Sequence, residues 1–264
     1  MLKSLYTTAT GMKAQQTMVD MIANNIANVN TAGFKKSQAS FEDLLYVKLQ
    51  SPGADGGGSA SARPIGTEIG SGTRLSGTTK VHTSGTLEIT DRALDIAIDG
   101  DGFFEVILPD GTSGYTRDGS FQVNADGKLV TSAGYVLTPE ITVPQDVLEI
   151  SIDPEGRVGG RTASSPDTQT IFGQMQISKF LNPSGMLSVG SNIAMKQDAS
   201  GEPVVGPPGQ NGLGLLKQGF IERSNVQIVN ELVNLIVAQR AYEVNSRAIQ
   251  ASDQMLSTAT NLSR

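Results

Sequence analysis

At 264 residues the chain exceeds one ordinary domain of about 100 to 200 residues, yet only 38% of it is hydrophobic and 5% aromatic, with no Trp, a thin supply for one large core. It has no Cys, which excludes disulfide frameworks, thiolate zinc sites and cysteine nucleophiles, and its one His limits metal chemistry further. A net charge of −6 argues against a surface that holds nucleic acid by neutralising phosphates; residues 1–50 and 217–264 are nearly neutral, so the acid is concentrated in the middle.

A cleaved signal peptide would need a basic start, an apolar run of about 7 to 15 residues and a small-residue cleavage site, but Thr and Lys interrupt every apolar stretch of residues 1–16, so none is expected. No run of about 18 apolar residues occurs either, so no membrane insertion is expected. A cytosolic chain fits, and so does one exported without cleavage.

In the first thirty residues Leu5, Met12, Val19 and Ile26 recur at seven-residue spacing, with Leu2, Ala9, Gln16 and Ala23 at the neighbouring seam position, a heptad pattern that predicts a helix. Asn24, Asn25, Asn28 and Asn30 crowd its end, and Gly33 is the natural left-handed cap before Phe34 and the pair Lys35 and Lys36. Residues 1–33 are therefore the first unit. Residues 34–86 form an extended linker rich in Gly and Ser, too poor in apolar surface to order itself alone.

From residue 87 the apolar period shifts toward two, with Asp-Gly pairs beginning at Asp99, Asp101, Asp110, Asp118 and Asp126. Asp-Gly between short apolar runs is a hairpin signal, because both residues tolerate positive φ. Strands are predicted at 103–108, 115–117, 120–124 and 129–130, then at 141–143, 148–152 and 171–180, giving an all-β unit over 87–215.

The last unit, 216–264, repeats the heptad: Ile228, Leu235, Tyr242, Ile249 and Leu256 keep strict seven-residue spacing in a stretch from 226 to 262 without Gly or Pro, and Ser224 or Asn225 would cap its start. A second stripe, Val233, Val237, Val244, Ala251 and Met255, lies about 140° round the same helix. One partner helix cannot cover both stripes. The fold class is therefore α+β, with the terminal helices forming an antiparallel coiled coil around an intervening all-β domain, and with packing on other copies of the chain to cover the second stripe. A terminal helical hairpin lying on the middle domain is the simpler alternative. The seams include Gln16, Gln239, Ser246 and Asp253, so the ends are expected to be mobile in the monomer and ordered on assembly.

No catalytic pattern stands out. G-x-S-x-G and G-x-x-x-x-G-K-[ST] are absent; Asp99-Gly100-Asp101-Gly102 lacks the third oxygen ligand and distant Glu of a calcium loop; Glu42 with Asp43 and Asp91 with Asp95 fit acidic surface; and His82 is expected to face solvent in the linker. No enzyme activity, cofactor or metal is expected.

The segment Asn24-Asn25-Ile26-Ala27-Asn28-Val29-Asn30-Thr31-Ala32-Gly33-Phe34-Lys35 closely resembles the N-terminal signature of bacterial flagellar axial proteins, those of the rod and hook and the hook-associated proteins. The stretch 231–243, which holds Gln239, Arg240 and Tyr242, looks like the matching C-terminal end. Segments 98–104 and 115–121 are similar to the same family, so the resemblance runs essentially end to end. Within the family the length, segment 41–46 and the following Ser51-Pro52-Gly53-Ala54 resemble rod members rather than the usually longer hook members.

The resemblance implies a structural subunit that polymerises into a helical tube, a drive shaft carrying motor torque to the hook, with the terminal helices as its inner layer. Its implied partners are further copies, other rod proteins, the hook protein, the bushing of the periplasmic and outer-membrane rings, and the flagellar type III export apparatus. It also implies that a short insertion, here about 46–63, separates straight shafts from the bendable hook; this chain carries Gly56 to Gly58 there. Other rod or hook positions within the family, or a secreted binding or hydrolytic β-module on a helical stalk, are the alternatives.

Overall fold

The computed structural model describes residues 2–50, 66–163 and 165–262; the Gly56 to Gly58 run and most of segment 46–63 lie outside them. The fold is α+β: an N-terminal helix, a β-rich middle and a C-terminal helix. Two compact units share the chain, one formed by Met1–Ile26, Ser37–Thr79 and Ile228–Arg264, the other by Ala27–Lys36 and Lys80–Gln227. Among the described residues no helix is long and apolar enough to cross a membrane.

The first unit holds α1 (Leu2–Ala27) and α2 (Ile228–Leu262), of 26 and 35 residues. Glu231 in the first turn of α2 opposes the positive end of the helix dipole. A β-ribbon accompanies them. Strand β1 (Ser37–Asp43) pairs with β4 (Thr73–Lys80), and β2 (Val47–Gln50) pairs antiparallel with β3 (Thr67–Ile69), Val47 opposite Ile69.

Polar bonds fasten this ribbon to α1. Lys3 Nζ donates to the Ile69 carbonyl at 2.9 Å, and Asn25 clasps Ser37, its Nδ2 donating to the carbonyl at 3.0 Å while its Oδ1 accepts from the N–H at 2.9 Å. Close to Thr10 the ribbon needs Gly72: φ is +111°, and a Cβ there would lie 2.2 Å from Thr10 Oγ1. A two-stranded ribbon alone is marginal in water, so these fastenings hold it in place.

The second unit is built from antiparallel pairs. Its largest sheet runs Leu187–Gly190, Ile193–Met195, Ser113–Thr116, Phe103–Ile107, Val136–Thr138, Leu129–Thr131, Phe121–Val123, and Ile177–Lys179 joins Phe103–Ile107 to Val204–Gly206. A three-stranded sheet follows the order Val147–Ile152, Arg157–Thr162, Ser165–Gln174. Leu215–Gln218 pairs with Ile96–Asp99, and Phe220–Glu222 with Leu87–Ile89. Ile96, Ile98, Val106, Leu137 and Met175 form much of the core around Phe104, which meets Phe121 edge to face at 5.0 Å.

The Asp-Gly turns act in two ways. Asp110-Gly111 and Asp126-Gly127 close hairpins, with φ of +75° and +80° at their glycines. Asp118-Gly119 does not: Asp118 Oδ1 instead accepts from the Ser120 N–H at 3.0 Å, turning the chain toward its next strand. The expected strand at 141–143 is also absent. Ile141 and Val143 are buried, and the segment is held by the isolated Lys128–Thr142 bridge, the Leu129 N–H to Ile141 carbonyl bond of 3.3 Å and the Val143 N–H to Gly127 carbonyl bond of 2.7 Å.

Candidate assembly faces and the buried charge cluster

Two faces of α2 differ sharply in cover. Leu235, Ile249 and Leu256 of the strict heptad are half-buried, and with them lie Glu231, Ala238, Asn245 and Ser252 in the alternate three-four positions. Ile228 and Tyr242, at 47% and 44%, are the more open members of that line. On the opposite side Val233, Val237 and Val244 are 54%, 59% and 64% exposed, accompanied by Val229, Ile236 and Met255. At about 100° per residue, Val229, Val233 and Ile236 stand roughly half a turn from Glu231, Ala238 and Asn245. A soluble helix ordinarily turns such valines inward, so this second face is an exposed apolar stripe.

On α1 the residues Leu5, Met12, Val19 and Ile26 are half-buried as one line. Their neighbouring seam positions are Thr8, Gln15 and the buried Ile22, whereas Ala9, Gln16 and Ala23, expected there, are exposed. The reason is that the β-ribbon covers another flank of α1, through Thr10, so the outward side shifts to the stripe carrying Ala9, Gln16 and Ala23. The helices come close at Gly11, where a Cβ would lie 3.1 Å from Asn245 Nδ2.

The signature residues have separate tasks. Asn25 is buried in its clasp on Ser37; Asn28 Oδ1 accepts from Thr31 Oγ1 at 3.2 Å; Asn30 Oδ1 accepts from Arg223 Nη1 at 3.2 Å; Asn24 is exposed and Phe34 half-buried. Gly33 is left-handed, φ +67°, but it does not cap α1, which ends at Ala27. Its role is close approach, since a Cβ would sit 2.6 Å from the Arg117 carbonyl carbon. Gln239 and Arg240 are exposed, Arg240 pairing with Glu243 at 3.0 Å. Asn225 does not cap α2 either: its Oδ1 accepts from the Lys36 N–H at 2.8 Å and its Nδ2 donates to the Val81 carbonyl at 2.8 Å.

Beside Asn225 lies a cluster that sequence reasoning missed. Glu222 is buried between two cations: Lys35 Nζ at 2.6 Å from Oε1 and Arg117 Nη1 at 3.3 Å from Oε2. The Gly85 N–H also donates to Oε1 at 2.8 Å, Lys35 Nζ donates to the Thr83 carbonyl at 2.8 Å, and Arg117 Nη2 to the Gly100 carbonyl at 2.7 Å. Arg117 stacks over Phe103 at 5.3 Å. Burial holds both the Lys35 ammonium and the Arg117 guanidinium below their ordinary pKa values despite Glu222. Three distant segments are thereby locked together, and no local spacing announces a pair 187 residues apart.

His82 belongs to the same neighbourhood and does not face solvent. Its ring meets Phe103 edge-on at 5.7 Å, and neither nitrogen reaches a hydrogen-bond partner. Burial first, then repulsion by Lys35, Lys80 and Arg117, pushes its pKa from 6.5 down to about 4. The unfolded chain therefore takes up the proton first: His82 leaves stability intact above pH 6.5 and withdraws it as pH falls toward about 4. The expected loss is about 2 kcal/mol after solvent screening. Acid unfolding followed by circular dichroism checks this: His82→Gln should flatten the pH 6.5 to 4 limb, and an unchanged limb would contradict it.

Comparison with known proteins bears on what these faces serve. The model described as "Flagella basal body rod protein" matches residues 5–35, the "Flagellar hook protein FlgE/F/G D1 domain" residues 97–160, and the "Flagellar basal body rod FlgEFG protein C-terminal" residues 217–262. The flagellar basal-body rod protein FlgG of Borreliella burgdorferi is 46% identical, covering 100% of both chains; that of Bacillus subtilis is 40% identical, again over 100% of both. The chain belongs to the flagellar basal-body rod protein family. Its members are structural rod subunits rather than enzymes. A hook protein, FlgE of Helicobacter mustelae, is 45% identical but over only 52% of this chain and 30% of its own length. The family match thus covers both helical ends and part of the acidic middle.

Proposed function

We propose that this chain is the distal-rod subunit of the flagellar basal body, polymerising into a straight tube that carries motor torque to the hook. The observation that carries this reading is the pair of apolar faces on α2, one covered within its unit and the other open at Val229, Val233, Ile236 and Val237. In this account α1 and α2 of one chain form an antiparallel coiled coil. The approach of Gly11 to Asn245 supports the pairing. So does the bond from the Gly33 N–H to the Glu222 carbonyl, which joins the chain shortly after α1 to the chain shortly before α2.

The seams at Leu5, Met12, Val19, Ile26, Leu235, Ile249 and Leu256 serve the pairing inside one chain, while Val233, Val237 and Val244 serve neighbouring copies. Burying one such side chain contributes about 1.5 to 3 kcal/mol, and repetition along a tube resists torsion. Other rod proteins and the hook protein continue the tube axially, the periplasmic and outer-membrane rings form its bushing, and the chain is delivered by the flagellar type III apparatus without signal cleavage. The near neutrality of the helical ends suits close packing of copies, whereas the net charge of −6 argues against a nucleic-acid partner.

Electron microscopy of the purified chain after concentration tests the reading. Straight tubes are the expected result. Curved filaments would move the chain to the hook, and a persistent monomer would contradict self-assembly.

A further inference from the structure

We propose that Asn211 is a modification site, its side-chain amide converted by water, without an enzyme, to aspartate and isoaspartate through a cyclic imide formed with Gly212. Asn211-Gly212 is the one Asn-Gly pair in the sequence. It lies in the connection between strands Val204–Gly206 and Leu215–Gln218, as the central pair of a tight turn: φ is +53° at Asn211 and +71° at Gly212, and the Leu213 N–H donates to the Gln210 carbonyl at 2.8 Å. Both residues are exposed. Among the described residues neither the Asn211 side chain nor the Gly212 N–H makes a hydrogen bond, and Gly212 has no Cβ to shield its nitrogen. The Asp-Gly turns differ. There the Gly111 N–H donates to the Leu108 carbonyl at 2.9 Å and the Gly127 N–H to the Asn124 carbonyl at 3.0 Å, so both nitrogens are held.

The reaction needs no reagent but water. As the Gly212 N–H loses its proton, its nitrogen bonds to the Asn211 side-chain carbonyl carbon, the bond from that carbon to the side-chain nitrogen breaks, and ammonia leaves with the proton. Water then opens the imide ring, giving aspartate at the side-chain carbonyl or isoaspartate at the main-chain carbonyl. Ring closure requires rotation about the Asn211 Cα–C bond against the hydrogen bond that closes the turn, and an exposed turn opens locally without unfolding its domain. Either product places a new carboxylate near Asp101, which already pairs with Lys179 at 3.0 Å, while Lys179 Nζ donates to the Gly212 carbonyl at 3.2 Å. Isoaspartate also lengthens the main chain by a methylene inside the turn. Leu213 just beyond is buried in the core and the Gly214 N–H donates to the Asp101 carbonyl at 2.8 Å, so the change loosens the edge strand Val204–Gly206.

Incubation of the full chain in mildly alkaline buffer, followed by peptide mapping with mass spectrometry and by anion exchange, tests the site. The peptide holding residue 211 should convert before that of any other Asn, as an aspartate and isoaspartate pair, with release of ammonia and a gain of negative charge. Mildly acidic buffer, in which the Gly212 nitrogen keeps its proton, should slow the conversion strongly. Asn211→Gly keeps the positive φ, so it should fold as before and lose both the charge shift and the ammonia. An unconverted residue 211 in a chain whose other Asn residues react, or a charge shift that persists in Asn211→Gly, overturns the site. Hydrogen exchange of the separated modified chain should be faster over Val204–Gly206 and unchanged over Leu129–Thr131. Equal exchange in both forms overturns the loosening of the edge strand.

Discussion

Val237→Asp is expected to abolish polymerisation while leaving the monomer as stable as before. Val237 is 59% exposed on its own chain, so a carboxylate there meets water and shifts the monomer's unfolding free energy by no more than about 0.5 kcal/mol. In the assembled state the same carboxylate would be enclosed among valines without a partner, at a cost of several kcal/mol in every copy. Sedimentation and thermal melting of the same preparation separate the two effects. Leu235→Asp is the counterpart: Leu235 is on the half-covered face, so that variant weakens its own helical unit as well. A Val237→Asp chain that still forms tubes would remove the open face from the assembly mechanism.

The second large effect is expected at Glu222→Gln. The substitution keeps shape and hydrogen-bonding capacity but leaves Lys35 and Arg117 buried without the carboxylate that lies between them. Breaking a buried ion pair from one side costs about 3 to 5 kcal/mol, because the remaining charge has neither water nor counter-ion. Urea unfolding of the full chain measures this. The exposed pair of Arg161 with Glu149, at 3.7 Å, supplies the contrast: Glu149→Gln should change stability by no more than about 1 kcal/mol. Equal effects at the two positions would mean that the cluster does not lock the unit.

The cluster also shows where legibility in the sequence ends. Heptad spacing revealed both helices, and α2 begins at Ile228, two residues after the expected 226. Asp-Gly pairs revealed the meander because positive φ is a local demand with a local signature, as at Gly111 and Gly127. The open face of α2 was legible as a second stripe, since periodicity records both sides of a helix whether or not they are covered. What covers α1 was not legible. Ser37–Asp43 has little apolar alternation, so its pairing with Thr73–Lys80 left no signal, and the outward face of α1 was misplaced by the flank that this ribbon occupies.

Long-range chemistry was equally hidden. Lys35 read as half of a basic pair at a helix end and Arg117 as the last residue of a predicted strand, while Glu222 had no distinguishing neighbour at all. His82 read as a linker residue because nothing in its surroundings by sequence foretells Phe103 or the three cations that face it. Gly33 was correctly left-handed for a different reason from the one expected: it admits the Arg117 backbone rather than ending the helix.

Hydrogen exchange over residues 228–262, compared between monomer and polymer, tests most directly whether copies of the chain complete one another's helices. The account predicts fast exchange in the monomer and marked slowing across the stretch in the polymer, while the strands around Phe104 and Leu137 exchange equally slowly in both. Equal protection of α2 before and after polymerisation would contradict it.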